Sequence, residues 1–212
     1  MRLTRSFALF VITMGLSGCL TGSFNFSPPS PVSSRPTPVV VNRARAEVWK
    51  DLVPRLAQTF FVINNIDQSS GLINISYSGD PEKFVDCGHL TSTVKNARGQ
   101  RTYDVPVARA HQVYERTVNA GLYGVDRAMS LEGRANLVLE EPQPNVTRVS
   151  VNVRYVLAMH ERVTDVLGKT QDLNDNLSFN SGERATFQGS MSEFSCQPNS
   201  TMEQQLLALL PR

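Results

Sequence analysis

The chain has little from which a catalytic site could be built. It holds three histidines in 212 residues, and none stands in His-Glu-x-x-His. His160-Glu161-Arg162 lacks the second ligand, which excludes the zinc-protease pattern. Gly168-Lys169-Thr170 has the end of a phosphate-binding loop without its start, because Val163 occupies the position of the required glycine. No Gly-x-Ser-x-Gly is present, so Ser190 and Ser192 beside Gly189 read as loop residues and not as nucleophiles. Cys87-Gly88-His89 is at most half of a metal site, with no second Cys/His pair to complete it. The carboxylates Glu140, Glu141 and Asp165 read as a solvated face. The expectation is a protein with no catalytic activity, no cofactor and no metal; a hydrolase would need His, Asp or Ser gathered in a pocket. No internal repeat is visible either.

What is present begins at the N-terminus. Arg2 and Arg5 precede an almost wholly apolar run, Ser6 to Gly15, and Leu16-Ser17-Gly18-Cys19 closes it with small residues before a cysteine. This is the three-part layout of a secretory signal. Its core is shorter than the about 20 apolar residues a membrane span requires. The ending Leu-Ser-Gly-Cys resembles the lipobox of bacterial lipoproteins. That resemblance implies cleavage after residue 18, with Cys19 as the first mature residue, acylated on its sulfur and its amine. Leu20 stands where an Asp tends to hold such proteins at the inner membrane, so the resemblance implies the outer membrane, with the domain in the periplasm.

Removing the signal also removes an apparent basicity. The full chain has 21 Lys+Arg against 19 Asp+Glu; without Arg2 and Arg5 the balance is 19 against 19. A neutral chain with dispersed charge has no footprint for nucleic acid, so attachment to the membrane is expected to come from the lipid on Cys19. One acyl chain binds only marginally, whereas several together hold stably. Of three cysteines, Cys19 is then used, which leaves Cys87 and Cys196 as a pair in an oxidising compartment. A Cys87–Cys196 disulfide is predicted.

Residues 19–38 carry five prolines among serines and threonines from position 20 on. Such a composition favours an extended tether, with a reach of about 60 Å. The globular part is predicted over 39–212. Val48, Leu52, Leu56 and Phe60 recur at spacing four with Trp49 and Val53 alongside, which predicts a helix of about 18 residues, capped by Asn42 and kinked near Pro54. Trp49 on that stripe reads as core. Residues 60–66 and 72–77 read as strands joined by an Asp67-to-Gly71 turn. Residues 95–101 read as a loop, and 102–127 fit a helix or an irregular strand equally.

From Met129 the pattern is clear. Leu131, Gly133, Ala135, Leu137 and Leu139 alternate with polar residues; after a turn at 141–145, Val149, Val151, Val153, Tyr155, Leu157 and Met159 do the same. This predicts a long antiparallel hairpin with one wet face. Residues 164–184 are polar and read as loop, with a short strand near 184–188. Ser200 and Glu203 match a capping box for a last helix whose apolar face is Leu206, Leu207, Leu209 and Leu210.

Alternating strands with a helix at each end predict an α+β fold: an antiparallel sheet packed on, and curled around, an N-terminal helix, with a short C-terminal helix. Val48-Trp49-Lys50-Asp51-Leu52-Val53-Pro54, the strand after it, and Ser70-Gly71-Leu72-Ile73-Asn74-Ile75-Ser76-Tyr77 resemble the opening of the helix-grip domains of BamC-type lipoproteins of the outer-membrane assembly machinery. The resemblance covers about 35 residues; this chain has one such domain where that family has two, and a cysteine pair besides. The expected function is a lipid-anchored, non-catalytic scaffold that binds another envelope protein. The alternative is a periplasmic binder of a small molecule or glycan in a groove of the sheet.

Overall fold

The computed structural model describes residues 20–31, 36–188 and 193–211. Cys19 and the signal, and Ser190 and Ser192, lie outside the described residues. The elements run β1 (Thr21–Ser27), β2 (Val39–Val41), α1 (Arg45–Leu56), β3 (Val62–Asp67), β4 (Leu72–Gly79), a 3₁₀ turn (Pro81–Lys83), β5 (Val85–Asp86), β6 (His89–Asn96) and β7 (Gly99–Pro106). They continue with β8 (His111–Val118), β9 (Gly121–Gln143), β10 (Val146–Asp165), β11 (Thr170–Asn180), β12 (Ala185–Gln188), β13 (Glu193–Pro198) and α2 (Thr201–Leu207). The fold is α+β with strand predominating.

The spine is the β9–β10 hairpin, 23 and 20 residues long. Its register sets Met129 opposite Met159, Leu131 opposite Leu157, Ala135 opposite Val153 and Leu139 opposite Val149. All eight are buried, so the alternation selects this pairing: a slip of one residue would turn the whole apolar set to water. Asn145, at φ 61°, makes the tight turn, a conformation asparagine tolerates. Each spine strand is long enough to carry two neighbours on its outer side. β4 and β8 share β9, and β11 and β2 share β10, with β3 added beyond β4 to complete a seven-stranded antiparallel sheet. Two three-stranded sheets, β1-β6-β7 and β12-β13-β5, complete the fold.

Helix α1 buries Val48, Trp49, Leu52 and Leu56, at the predicted spacing, in one core cluster with β9 and β10. It stops sooner than the stripe suggested. Pro54 lies in its last turn, and the Thr59 hydroxyl donates to the Leu56 carbonyl (2.7 Å), so Phe60 falls outside the helix and is exposed. The cap is Ala44, not Asn42, with no side-chain bond; the Arg43 guanidinium instead reaches Glu47 and Asp51 (3.2 and 2.7 Å) across the first turns.

Four further expectations are corrected. The tether over 19–38 is in large part docked: Thr21 to Ser27 pair with Lys95 to His89, Phe24 and Phe26 pack against the core, and Arg184 and Gln197 hold the Ser30 carbonyl (3.1 and 2.6 Å). Alternating Phe24 and Phe26 supply the apolar face that a free tether lacks. Residues 95–101, read as loop, form the tip and strand ends of the β6–β7 hairpin; of the two alternatives left open for 102–127, the strand is the one that forms, over most of their length. The polar stretch 164–184 contains an 11-residue strand, β11, whose backbone pairs with β10 from Thr164 to Arg154. The capping box does not form: Ser200 sits at φ 63° with no side-chain cap, and Glu203 turns inward. There the Tyr155 hydroxyl donates to one carboxylate oxygen (2.9 Å) and the Ser181 hydroxyl to the other (2.6 Å), which pins α2 to β10.

Candidate partner-docking edge

The predicted cysteine pair is joined. Cys87 and Cys196 form a disulfide with Cα atoms 4.0 Å apart, placed by the pairing of Gln197 with Asp86 and Pro198 with Val85. Cys87 therefore offers no thiolate to a metal. The histidines stand apart: His89 contacts Asp104 (2.7 Å), His111 contacts Asp126 (2.7 Å), and His160 contacts Asn174 (2.8 Å), all at exposed positions. Among the described residues no group of three or more His, Cys, Asp or Glu is placed to hold a metal ion. The carboxylates Glu140, Glu141 and Asp165 are engaged locally, Glu140 with Arg148 (2.6 Å), Glu141 with the Asn145 amide and Asp165 with its own turn.

The structure gathers something else at the β3 side of the large sheet. Among the described residues β3 ends the strand order and pairs with β4 alone. A sheet edge presents backbone N–H and C=O groups as a template for another strand, and proteins usually blunt it with charge. The opposite edge follows that rule, since β11 carries Asp172 and Asp175. β3 instead shows apolar side chains to water: Val62 is 59% exposed, Ile66 44%, and Phe60 just before the strand 59%. Phe60 is not loose. It packs tilted against Phe61 and edge-on to Tyr77, ring centroids 4.4 and 5.8 Å away, in a cluster that also holds Phe84. The apolar surface of this edge is thus held in place by buried rings.

Beside this edge, the solvent face of the sheet carries a row of amides. Asn64 donates to Asn74 (3.0 Å), Asn74 donates to Asn136 (2.7 Å), and Asn136 is opposite Asn152. A register shift between Ile63 and Asn65 leaves Asn64 outside the ladder and free to reach both Asn74 and Ser76. Arg134 and Arg154 face each other in the next row. Two open depressions of about 500 and 320 Å³ lie along these rows and share Asn74 and Arg134. Asparagine is depleted in strands, so a sheet face that repeats it departs from local preference, as functional surfaces do.

A second group was not foreseen. Arg127 on β9 is opposite Glu161 on β10, and both point into the core with Tyr114 of β8. The Arg127 guanidinium is 0% exposed, lies 5.6 Å from the Tyr114 ring and 5.1 Å from that of Phe194, and none of its nitrogens is hydrogen-bonded. Burial pushes the Tyr114 phenol up to about 12 and pulls Arg127 down from its ordinary value, opposed by the Tyr114 and Glu161 charges. The signal was in the sequence: Arg127 shares the parity of Val125 and Met129, so the hairpin alternation, carried two residues further back, sends a cation inward.

Compared with protein-family models, with curated proteins and with solved structures, the chain matches none.

Proposed function

We propose that the chain is a lipid-anchored protein of the outer membrane, held by an acylated Cys19, whose periplasmic domain is a non-catalytic scaffold that binds another envelope protein. In this reading the large sheet curls around α1 in the manner of the helix-grip domains that residues 48–54 and 70–77 resemble, and the partner belongs to outer-membrane assembly. The observation that carries the partner is the β3 edge. An extended segment of the partner adds as a strand along Val62–Asp67, with backbone hydrogen bonds for affinity and contacts to Val62, Ile66 and Phe60 for specificity. Photo-crosslinkers at positions 62 and 66 in intact cells are expected to give one reproducible envelope-protein adduct. Val62→Lys with Ile66→Lys, which charges the edge, is expected to abolish it. Diffuse adducts that survive the charged edge would overturn the reading.

A second reading has its own observation. The amide row Asn64–Asn74–Asn136–Asn152 offers paired donors and acceptors with arginines beside it, which suits the hydroxyls and acidic groups of a glycan. Asn136→Leu is expected to abolish a thermal shift produced by peptidoglycan fragments. The absence of any shift in the parent protein would remove this alternative.

A further inference from the structure

One end of the molecule collects features that the β3 edge leaves unused. The β8–β9 hairpin turns there, with Val118 opposite Gly121. Asp165 at the end of β10 is opposite Tyr123 near the start of β9, so the β10–β11 turn lies at the same end. The start of β1 is there too: Thr21 pairs with Lys95, and the Gly22 backbone lies against Thr117 of β8. Leu122 of β9 lines one depression together with Arg98 and Arg101 of the β6–β7 tip. Three hairpin tips and the N-terminal strand thus share one face.

The chemistry of that face is uneven. The β10–β11 turn carries Val166 and Leu167, 73% and 90% exposed. A leucine so exposed costs free energy in water. Its turn is built to leave water, because its amides are satisfied internally: Leu167 and Lys169 both donate their N–H to Asp165 Oδ1 at 2.9 Å, and Gly168 donates to the Asp165 carbonyl at 3.0 Å. At the same end the β6–β7 hairpin carries Lys95, Arg98 and Arg101 and the β10–β11 turn carries Lys169, against Asp165, spent on the turn, and Glu115, paired with Arg101 at 3.2 Å. The turn lies about 15 Å from β8, three strand spacings away.

The geometry points to a membrane seat: we propose that this end rests on the bilayer, with Val166 and Leu167 inserted at the headgroup boundary and the cations against anionic phospholipid. The proposal rests on the lipid-anchor reading. Cys19 is two residues from the docked Thr21, and two residues reach at most about 7 Å, so acyl chains on Cys19 would enter the bilayer beside this face and not at the far end of a long tether. An exposed apolar tip on an end that also carries cations is the form an interfacial contact takes.

The test uses the full acylated protein in vesicles of zwitterionic and anionic phospholipid with brominated acyl chains. Trp49 is the only tryptophan and is buried, so the parent's emission is expected to resist quenching. Leu167→Trp is expected to add emission that the brominated lipid quenches severalfold, while the emission added by Val62→Trp is unaffected. Lys95→Glu with Arg98→Glu is expected to weaken the quenching at 167 in anionic vesicles without reducing flotation. Flotation with no quenching at 167 overturns the seat and leaves the anchor standing; failure to float overturns the anchor itself. A charge reversal that leaves quenching unchanged overturns the role of the cations.

Discussion

Reduction of the Cys87–Cys196 bond should cost the fold a calculable amount. The bond spans 109 residues of sequence. In the chain-entropy treatment a loop of that length constrains the unfolded chain by about 4.8 kcal/mol at 25 °C. The native side offers little to offset this, since both sulfurs are buried within the core cluster and two thiols can remain packed where the bond was. For a domain of this size each kcal/mol is worth about 2–4 °C in midpoint, so reduction is expected to lower Tm by about 10–20 °C. In urea, with a slope of about 2–3 kcal/mol/M, the midpoint should fall by about 2 M. Trp49, packed on α1 far along the chain from either cysteine, serves as the fluorescent reporter. The slope itself should rise on reduction, because the unlinked chain exposes more surface when it unfolds. Coincident oxidised and reduced curves with equal slopes would refute the argument, as would an intact mass that does not change by two units on reduction.

Three further outcomes follow from buried or bonded groups. Tyr155→Phe removes one of the two hydroxyls on the buried Glu203 carboxylate; leaving that oxygen unpaired is expected to cost about 1–3 kcal/mol by urea unfolding, and an unchanged stability would show that α2 is held by its leucines alone. A double-mutant cycle of Arg127→Met and Glu161→Leu is expected to show a coupling of about 1–3 kcal/mol, because the buried Arg127 guanidinium has no hydrogen-bond partner and loses the facing carboxylate when Glu161 is removed; additive costs would show that the two do not share an environment. The Asp67 carboxylate accepts from the Ser69 and Ser70 hydroxyls and from the Ser69 amide, which hold it at about 2, below its ordinary 3.8. A depressed folded value means that its contribution to the β3–β4 turn is complete above the unfolded value and lost as pH falls from about 4 towards 2. An NMR titration of Asp67 with a midpoint near 4 would contradict this.

The parts of the fold that were legible from sequence are those with one buried face. Leu131 to Leu139 and Val149 to Met159 announce the spine because every second residue must leave water, and Val48, Leu52 and Leu56 announce α1 for the same reason at the helical period. The illegible parts are stabilised by groups that leave no periodic trace. β11 reads as loop because its strand is made by backbone pairing to β10 and by side-chain pairs such as Arg162 with Asp172 (2.8 Å), with few apolar residues to mark a face. β1 was hidden by the prolines that follow it: Phe24 and Phe26 alternate correctly, but two residues are too few to outweigh the tether composition from Pro28 on. Ser200 and Glu203 had the spacing of a capping box, yet Glu203 gains more by meeting Tyr155 and Ser181 in the core than by reaching a backbone amide already at the surface. The cysteine pairing was legible from the odd count once Cys19 was assigned. The β3 edge was not, because exposure of Val62 and Ile66 depends on where the sheet ends, and strand order is not written in local sequence.

The docking of β1 changes what the proposed lipid anchor would do. A tether of about 60 Å would let the domain sample every orientation above the bilayer. With Thr21 paired to Lys95, an acylated Cys19 would instead meet the domain at one end of the spine, and the spine would become a ruler. Leu122 lies at that end, whereas the strand row that reaches β3 runs from Arg134 through Ser76 to Val62, 12 residues further along β9, or about 40 Å at the rise of an extended strand. On the proposed membrane seat, the apolar β3 edge would therefore stand well beyond the headgroups and beyond the reach of the Val166–Leu167 tip. Two apolar surfaces on one small domain would compete for the same membrane if they lay together. Under the proposed arrangement, their separation along β9 would let one seat the protein and leave the other available to a partner strand. Only a deletion within β9 between Leu122 and Arg134, matched on β10 between Arg154 and Thr164, would draw the edge towards the lipid, whereas one beside the Asn145 turn would leave the distance unchanged.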